Sequence, residues 1–435
     1  MDKCGLAGRE GIRKAVFWAA VAANLLILGY WKYLNFFAES LGYVLGMDFG
    51  LKKILLPIGI SFYTFQGISY VIDVYRRQVP VQKKIVNLGL YIALFPQLIA
   101  GPIVRYSDIN EQLAKREHSV ELFAAGIRRF SVGLAKKAVL ANSLAVNADA
   151  VFAMPSVQNT PDVAWLGAVS YMLQIYFDFS GYSDMAIGLG KMFGFHILEN
   201  FDYPYISRSI PEFWRRWHIS LGSWFRDYVF YPVIRTKWCS GLGNLRNRFV
   251  GKNLAKMLPT IAGTLIIWSL TGLWHGANWT FVCWGTFHGV LITASMLIKK
   301  KVKKFNDKHH FTKTKYFDVF RILRTDFLVL IGLVFFKADS IRAAFLYLKS
   351  MFGFLDVHQA GYRLEWYLTK YDLFILAVSF VAMLPVGKCA LNWMETKMSK
   401  ANYVLMCNIG SLVLLGTAIM YVITSTYNPF IYFQF

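Results

Sequence analysis

The stretch that decides the fold runs from Met257 to Ile298 and reads MLPTIAGTLIIWSLTGLWHGANWTFVCWGTFHGVLITASMLI. It contains no Lys, Arg, Asp or Glu. The hydrocarbon core of a bilayer is about 30 Å thick and needs about 20 apolar residues per helix, so this run is long enough for two crossings. The sequence therefore predicts a helical hairpin inside a membrane.

Basic residues flank this hairpin on both sides. The run from Lys299 to Lys315 follows it with eight lysines and one aspartate. The basic residues before it are Arg235, Lys237, Arg246, Arg248, Lys252 and Lys256. The positive-inside rule places both basic loops in the cytoplasm, so the chain must cross the membrane and return. The lysine run is read as a topology anchor on anionic lipid.

Two histidines lie inside the uncharged hairpin. His275 follows Trp274 at the predicted bend, where Gly276 and Asn278 interrupt the helix pattern, and His288 lies roughly 15 Å of helix before the cytoplasmic end. Ionisable residues at membrane depth are costly and usually face a bundle interior or a water-filled path. A neutral imidazole can act as a general base toward a hydroxyl, so His275 is the predicted catalytic residue. For His288, catalysis and plain packing against a neighbouring helix both remain open.

A second predicted span, from Asp162 to Gly190, has a polar interior that includes Asp178, Tyr182 and Asp184. The two aspartates are separated by roughly 240° around a helix and do not share a face, so they form a poor carboxylate pair for acid–base chemistry. They are predicted to line a polar channel or to pair with an Arg or His of a neighbouring helix. Ordinary hydrogen bonding between helices is the alternative.

The stretch from Pro211 to Tyr231 has the pattern of an amphipathic helix. Its apolar residues fall within a sector of about 100°, opposite the charged residues, which is typical of a helix that lies in the membrane surface. His218 falls near the edge between the faces and is expected to have no chemical role. The apolar set is Trp214, Trp217, Leu221, Trp224, Phe225 and Tyr228, and the charged set is Glu212, Arg215, Arg216, Arg226 and Asp227.

Further apolar runs bring the predicted number of crossings to about nine. The run from Asn87 to Gly101 contains Pro96 and is predicted to be either a re-entrant helix or a kinked span. Arg105 follows it and could meet a substrate carboxylate or phosphate, or lie at the membrane interface. The other predicted spans are Ala15–Tyr30, Ile54–Ile72, Phe317–Lys337, Leu373–Val386 and Tyr403–Ser425.

Composition limits the class of protein. The chain has 435 residues, of which 56% are hydrophobic, and its apolar runs have the length of helices. An all-α polytopic membrane protein with one membrane-embedded domain spanning residues 1–435 is therefore predicted, because backbone groups in lipid must pair within each segment. The net charge of +22 lies in short loops between apolar runs, so nucleic-acid binding is not expected. The five cysteines lack CxxC spacing and predict neither a metal site nor a disulfide framework.

Several motifs in the same order resemble the membrane-bound O-acyltransferase family, in particular the bacterial branch with alginate O-acetyltransferase and the teichoic acid D-alanyl transferase. In that family the histidine of the WHG motif is catalytic, which corresponds to His275. Family members usually have further membrane helices before the first span of this chain, so either the start of the sequence was placed late or the protein is a shortened variant. The motifs are FPQLIAGPIVRY (Phe95–Tyr106), QIYFDFSGYSDMAIGLG (Gln174–Gly190), FWRRWHISLGSWFRDYVFYP (Phe213–Pro232), GLWHGANWTFVCWGTFHG (Gly272–Gly289) and the closing FIYFQF.

The resemblance implies an MBOAT-like bundle with interfacial and re-entrant helices in the bacterial cytoplasmic membrane. It implies transfer of an acyl group, expected to be acetyl, from acetyl-CoA or an acyl carrier protein to a hydroxyl of an extracellular polysaccharide. An exported SGNH-type acyltransferase or a glycan synthase is the expected partner. Asn278 and the backbone N–H groups near Gly276 are candidate supports for the oxyanion. Two alternatives from other classes remain open: a secondary transporter that exports a glycan precursor, and a non-catalytic scaffold of an exopolysaccharide machine.

Overall fold

The computed structural model describes residues 10–98, 101–244, 251–355, 363–424 and 430. Its regular elements within these ranges are helices, and Phe201 and Trp217 form one isolated bridge. The predicted all-α class is confirmed. Its finer description, an MBOAT-like bundle of about nine crossings in a single domain, stays a prediction.

The helices form a nearly continuous series along the described chain. Three π-helical segments join neighbouring helices without a loop, namely Gly29–Tyr33, Lys136–Ala141 and Arg226–Phe230. The α-helices are α1 (Glu10–Leu28), α2 (Leu34–Leu45), α3 (Ile60–Tyr75), α4 (Ile85–Ala93), α5 (Phe95–Leu98), α6 (Tyr106–Ala114), α7 (Val120–Ala135), α8 (Asn142–Ala153), α9 (Pro161–Met192), α10 (Ile210–Arg216), α11 (Ile219–Phe225), α12 (Tyr231–Ile234), α13 (Lys237–Gly241), α14 (Lys252–Ala255), α15 (Leu258–His275), α16 (Trp279–Lys308), α17 (Lys315–Lys337), α18 (Ile341–Met351), α19 (Lys370–Ala382), α20 (Val386–Lys397) and α21 (Lys400–Thr424).

Four of the described helical segments are long and apolar enough to cross a membrane, and α19 with α20 would add a fifth span that is bent by 60°. The predicted hairpin accounts for two of these segments, which correspond to α15 and α16. The four segments are Glu10–Leu45, Asn253–His275, Trp279–Lys308 and Lys400–Thr424.

The chain divides into two compact units. The first contains residues 1–130, 183–199 and 432–435, as far as these are described. The helix is interrupted beside Pro96, because the backbone is extended at Leu94, between α4 and α5. Whether this run is a re-entrant helix or a kinked span stays a prediction. The core of this unit consists of Val74, Val79, Tyr91, Leu94, Val104, Tyr106, Ile109, Leu113, Ile187, Phe195 and Ile197.

Polar pairing in the first unit involves two of the predicted site residues. The guanidinium of Arg129 lies 2.6 Å from a carboxylate oxygen of Asp184 and 2.6 Å from one of Glu199. Asp184 therefore pairs with an arginine of a neighbouring helix, which is one of its two predicted roles. Arg105 precedes α6, and its backbone N–H donates to the Asp108 carboxylate over 2.9 Å. A contact of Arg105 with substrate stays a prediction.

The second unit contains residues 131–182 and 200–431, and its most intimate packing is within the predicted hairpin. A Cβ on Gly272 would overlap the backbone carbonyl of Phe281, and a Cβ on Gly285 would overlap that of Trp268. Glycine therefore allows α15 and α16 to meet at backbone distance. The bend is short because Asn278 caps α16, with its side-chain oxygen accepting from the backbone N–H of Thr280 over 3.0 Å.

Asp178 forms a buried ion pair in the second unit. Its carboxylate bonds the ammonium of Lys137, which belongs to the π-helical segment after α7. The same ammonium lies 4.7 Å from the ring centre of Phe430, and Tyr182 meets that ring edge-on at 5.0 Å. The partner is thus a lysine rather than the arginine or histidine that the sequence suggested. A pair inside the bundle satisfies a charge that would otherwise be costly to bury.

The prediction of one surface helix from Pro211 to Tyr231 is wrong. Helix α10 ends at Arg216, α11 begins at Ile219, and His218 between them has a left-handed backbone with φ of 47°. Trp217 and Trp224 are 7% and 3% exposed, so their rings pack inside the protein rather than against lipid. The helical-wheel projection at 100° per residue placed these side chains incorrectly, because it assumed one unbroken helix.

Candidate active site

A cavity of about 220 Å³ lies inside the second unit, between α15 and the segment formed by α11 and the π-helix after it. Most of its wall is aromatic or aliphatic, and it contains two imidazoles. It is smaller than the roughly 300–1,000 Å³ typical of sites for drug-sized ligands. Its lining residues are Trp214, Trp217, His218, Leu221, Gly222, Phe225, Arg226, Phe230, Thr264, Ile267, Trp268, Thr271, His275 and Ile292.

The cavity is elongated along α15. Its lining positions on α15 extend from Thr264 to His275, which corresponds to about 16 Å of helix. The opposite wall runs antiparallel, because His218 lies near His275 whereas Phe230 packs at Gly263, close to the other end of α15. Both imidazoles therefore lie at one end of the cavity.

His275 is the last residue of α15 and is 7% exposed. Its ring centre lies 5.0 Å from that of Trp284, 4.9 Å from that of Trp274 and 5.3 Å from that of Phe336. The following residue, Gly276, has no room for a side chain because a Cβ there would overlap the Phe281 ring. The bend thus places the predicted catalytic imidazole among aromatic rings and on the cavity wall.

His218 forms the other imidazole of the cavity, 6.5 Å from His275 between ring centres. Its Nδ1 lies 3.3 Å from Oδ1 of Asn200. That oxygen also accepts from the backbone N–H of Ser220 over 3.1 Å, which identifies it as the carbonyl oxygen of the amide. Nδ1 of His218 must therefore carry the hydrogen, and Nε2 carries the lone pair.

The surroundings of His218 keep it neutral. Burial lowers the pKa of the His218 imidazole well below its usual value, and the nearby His275 lowers that pKa further. A neutral ring with a lone pair on Nε2 can accept a proton from a hydroxyl. The expectation that His218 is a surface residue without a chemical role was wrong about its position, because the residue is 2% exposed and lines the cavity.

One sequence feature could have indicated a functional role for His218, although the helical-wheel analysis placed this residue at a surface. His218 belongs to one of the motifs that carry the family resemblance, and so does His275. Asn200 lies outside those motifs, and its contact with His218 comes from folding. The pairing of His218 with His275 could not be read from spacing, because the two residues are distant along the chain.

The other predicted support residues have different positions. The amide of Asn278 is occupied, since its Nδ2 donates to the backbone oxygen of Asp339 over 3.1 Å. The backbone N–H of Gly276 donates to Gly272 over 3.4 Å. Both groups serve the bend, and neither residue lines the cavity. The buried indole N–H of Trp284, beside His275, has no hydrogen-bond partner among the described residues, but Trp284 does not line the cavity either.

His288 is completely buried but does not line the cavity. Its Nδ1 accepts from the indole N–H of Trp214 over 3.3 Å. A Cβ on Gly332 would come within 2.7 Å of its Nε2, so that glycine makes room for the imidazole. The structure places His288 behind the cavity wall rather than at the reacting end.

Arg226 lines the cavity at a distance from the two histidines. It lies about 12 Å of helix beyond His218, and its side chain is 57% exposed. Its Nε lies 2.9 Å from the carboxylate of the adjacent Asp227. Exposure leaves this guanidinium accessible to an anion at the end of the cavity opposite the imidazoles. Arg215, by contrast, is exposed and is not among the lining residues.

Fold and site together define a helical membrane protein with two imidazoles in an internal apolar cavity. The model of the membrane-bound O-acyltransferase family matches residues 82–245. The chain is 37% identical to the probable alginate O-acetylase of Pseudomonas putida over 98% of its own length and 87% of that relative. It belongs to the membrane-bound O-acyltransferase family, as the motifs suggested.

Two further relatives show how far the similarity extends. The probable alginate O-acetylase of Azotobacter vinelandii is 42% identical over 80% of this chain and 66% of the relative. The teichoic acid D-alanyltransferase of Bacillus subtilis is 30% identical over 57% of this chain and 61% of the relative. The chain thus matches slightly less than two thirds of the length of each of these two proteins.

Proposed function

We propose that this chain is a multi-pass O-acyltransferase of the bacterial cytoplasmic membrane, with about nine crossings. The observation that carries the proposal is the pair of imidazoles, His275 and His218, 6.5 Å apart between ring centres at one end of a largely apolar cavity. The family contains O-acetyl and D-alanyl transferases by name, which supports acyl transfer to a hydroxyl.

The proposed reaction needs one proton transfer in each direction. His275 takes the proton of the attacking hydroxyl as its oxygen forms a bond to the thioester carbonyl carbon. When the carbon–sulfur bond breaks, the imidazolium returns that proton to the thiolate leaving group, so atoms and charge balance. His218, held by Asn200 in one tautomer, orients the hydroxyl or shares the proton. The apolar walls exclude water that would hydrolyse the thioester.

The acyl donor is proposed to be acetyl-CoA or an acyl carrier protein. Both present a thioester at the tip of a thin phosphopantetheine arm, which a cavity of about 220 Å³ can admit in part. The basic loop before α15 is assigned to the cytoplasm, so the Arg226 end of the cavity faces the donor side. At this end the guanidinium of Arg226 is available to bind a phosphate of the donor, because charge-assisted hydrogen bonds between arginine and phosphate are strong.

The acceptor is proposed to be a hydroxyl on the outer side, ultimately of an extracellular polysaccharide. The bend with His275 lies at the end of the hairpin remote from the basic loops, so the histidine end of the cavity faces the acceptor side. An exported SGNH-type acyltransferase or a glycan synthase would relay or present the acceptor. Alginate itself is not assigned as the acceptor, because relatives named for alginate and for teichoic acid both match this chain.

The test substitutes the two cavity histidines and measures ester-linked acyl groups on the exported glycan. His275→Ala should lower the acyl content by about 10²–10⁴-fold, and His218→Ala by about 10²-fold, because each loses a proton-handling group. His310→Ala, at an exposed position, and Arg215→Ala are the matched controls and should keep wild-type acylation.

Membrane protein level by immunoblot accompanies each variant. Wild-type acylation in His275→Ala at normal protein level would defeat the proposal and favour a scaffold or a transporter.

A further inference from the structure

His288 lies at the centre of a buried aromatic cluster that the proposed reaction does not use. Its ring centre is 4.9 Å from that of Trp214, 5.9 Å from that of Trp268 and 5.4 Å from that of Trp284. Trp214 and Trp268 line the cavity, whereas His288 stands behind them. Any effect of His288 on the reaction must therefore act through these rings.

The hydrogen bond between Trp214 and His288 has only one possible direction. An indole nitrogen is a donor without a lone pair to accept, so Nδ1 of His288 must be the acceptor. This requires the neutral imidazole with its hydrogen on Nε2, since an imidazolium has no lone pair. The bond fixes the orientation of the Trp214 indole ring. This ring also meets the Trp268 ring edge-on, with 4.6 Å between ring centres.

Gly332 of α17 keeps this arrangement sterically possible. A Cβ at that position would approach Nε2 of His288 to 2.7 Å and push the ring toward Trp214. Helices α10, α16 and α17 thus converge on one imidazole, with Trp214, His288 and Gly332 as the contact points. The side wall of the cavity is set by this contact rather than by packing alone.

We propose that His288 is a positioning residue that holds Trp214 as the wall limiting the size of the acyl group. The inference rests on the proposed acyl transfer and adds a determinant of acyl-chain selectivity to it. Without the acceptor at position 288, the indole is released, the cavity widens, and a longer acyl chain fits as well as acetyl.

The experiment supplies membranes with acetyl-CoA and butyryl-CoA in competition, and in parallel with the two thioesters of an acyl carrier protein. His288→Leu removes the acceptor, and Trp214→Phe removes the donor. Each should lower acetyl transfer about 3- to 10-fold, because one hydrogen bond is lost. Each should raise the butyryl-to-acetyl ratio by at least about tenfold, because butyryl exceeds acetyl by two methylenes and a single methylene is worth about tenfold or more in a close pocket.

His288→Asn is the matched control, because its side-chain oxygen can replace Nδ1 as acceptor; it should keep the wild-type ratio. The double variant His288→Leu/Trp214→Phe should show no larger change than either single variant, because both remove the same bond.

Two different failures can be told apart. If wild-type membranes transfer neither acyl group from either donor, the proposed function itself fails. If wild-type transfer is normal but the acyl ratio is unchanged in both Trp214→Phe and His288→Leu, the positioning role is overturned. A His288→Leu protein that does not accumulate leaves Trp214→Phe to decide the result, with its membrane level checked by immunoblot.

Discussion

His218 shows how one strained residue can supply a functional side chain. Its backbone φ of 47° is unfavourable for a residue with a Cβ and costs on the order of 1–2 kcal/mol. The conformation persists because Asn200 binds the turn twice: its backbone oxygen accepts from Ile219, and its side-chain oxygen accepts from Ser220. The strain turns the imidazole into the cavity instead of along the face of a continuous helix.

Asn200→Asp should shift the acid limb of the pH–rate profile to higher pH. Burial keeps the pKa of His218 below its usual value, so the ring stays neutral and active as the pH falls. A carboxylate at position 200 would favour the imidazolium and raise that pKa, so activity should be lost at a higher pH.

Acyl transfer measured between about pH 5.5 and 8.5 for Asn200→Asp and wild type gives the comparison. Any limb that belongs to His275 should be present in both proteins. Superimposable profiles would show that the protonation of His218 does not limit the reaction.

At the scale of elements, the hairpin of α15 and α16 was readable from sequence and the break in the supposed surface helix was not. The hairpin is encoded locally, by a charge-free run with Gly276 and Asn278 at its bend. The break at His218 depends on Asn200, a tertiary partner that no periodicity reveals. Likewise, the sequence predicted a catalytic role for His275 and left His288 undecided, because the relation of each ring to a cavity is a property of the folded chain.

Gly272→Val and Gly285→Val should each separate the hairpin and reduce the amount of folded protein in the membrane. Both glycines lie where a Cβ would overlap backbone of the facing helix, and backbone cannot move aside as a flexible side chain can. Overpacking of this kind costs about 1–3 kcal/mol or more. Thermal stability in detergent is the measurement.

Gly410→Ala is the control, since a Cβ at this helical position meets nothing within 4 Å. It should stabilise α21 by about 0.5–1 kcal/mol through helix propensity. Normal stability of Gly272→Val would mean that α15 and α16 can pack at a greater distance.

At the scale of the whole molecule, composition predicted the class of protein more securely than the number of crossings. Apolar length and basic loops identify a polytopic helical protein, yet helices such as α9 carry Asp178 and Asp184 and lie below the apolarity of a typical span. Each aspartate has a basic partner inside its own unit. Such ion pairs allow a polar helix to be buried. The charged residues also lower its hydropathy, so that a count of crossings based on hydropathy misses it.

Orientation across the membrane can be tested with single cysteines at two exposed positions of α16. Lys304→Cys, in the lysine run, should react with an impermeant maleimide only after the cells are opened, because the positive-inside rule assigns it to the cytoplasm. Trp279→Cys, at the start of the same helix, should react in intact cells. The native cysteines are replaced first in both proteins, and the reverse pattern of labelling would invert the proposed donor and acceptor sides.

The short bend of the hairpin also bears on how the chain is made. Because Gly272 and Gly285 are close in sequence, α15 and α16 can pair as soon as both have left the ribosome, at little cost in loop closure. The two arms can then pass from the translocation machinery into lipid together, with His275 and the bend at the leading tip. A charge within that tip would have to cross the hydrocarbon during insertion. The absence of Lys, Arg, Asp and Glu from Met257 to Ile298 therefore serves biogenesis as well as the cavity.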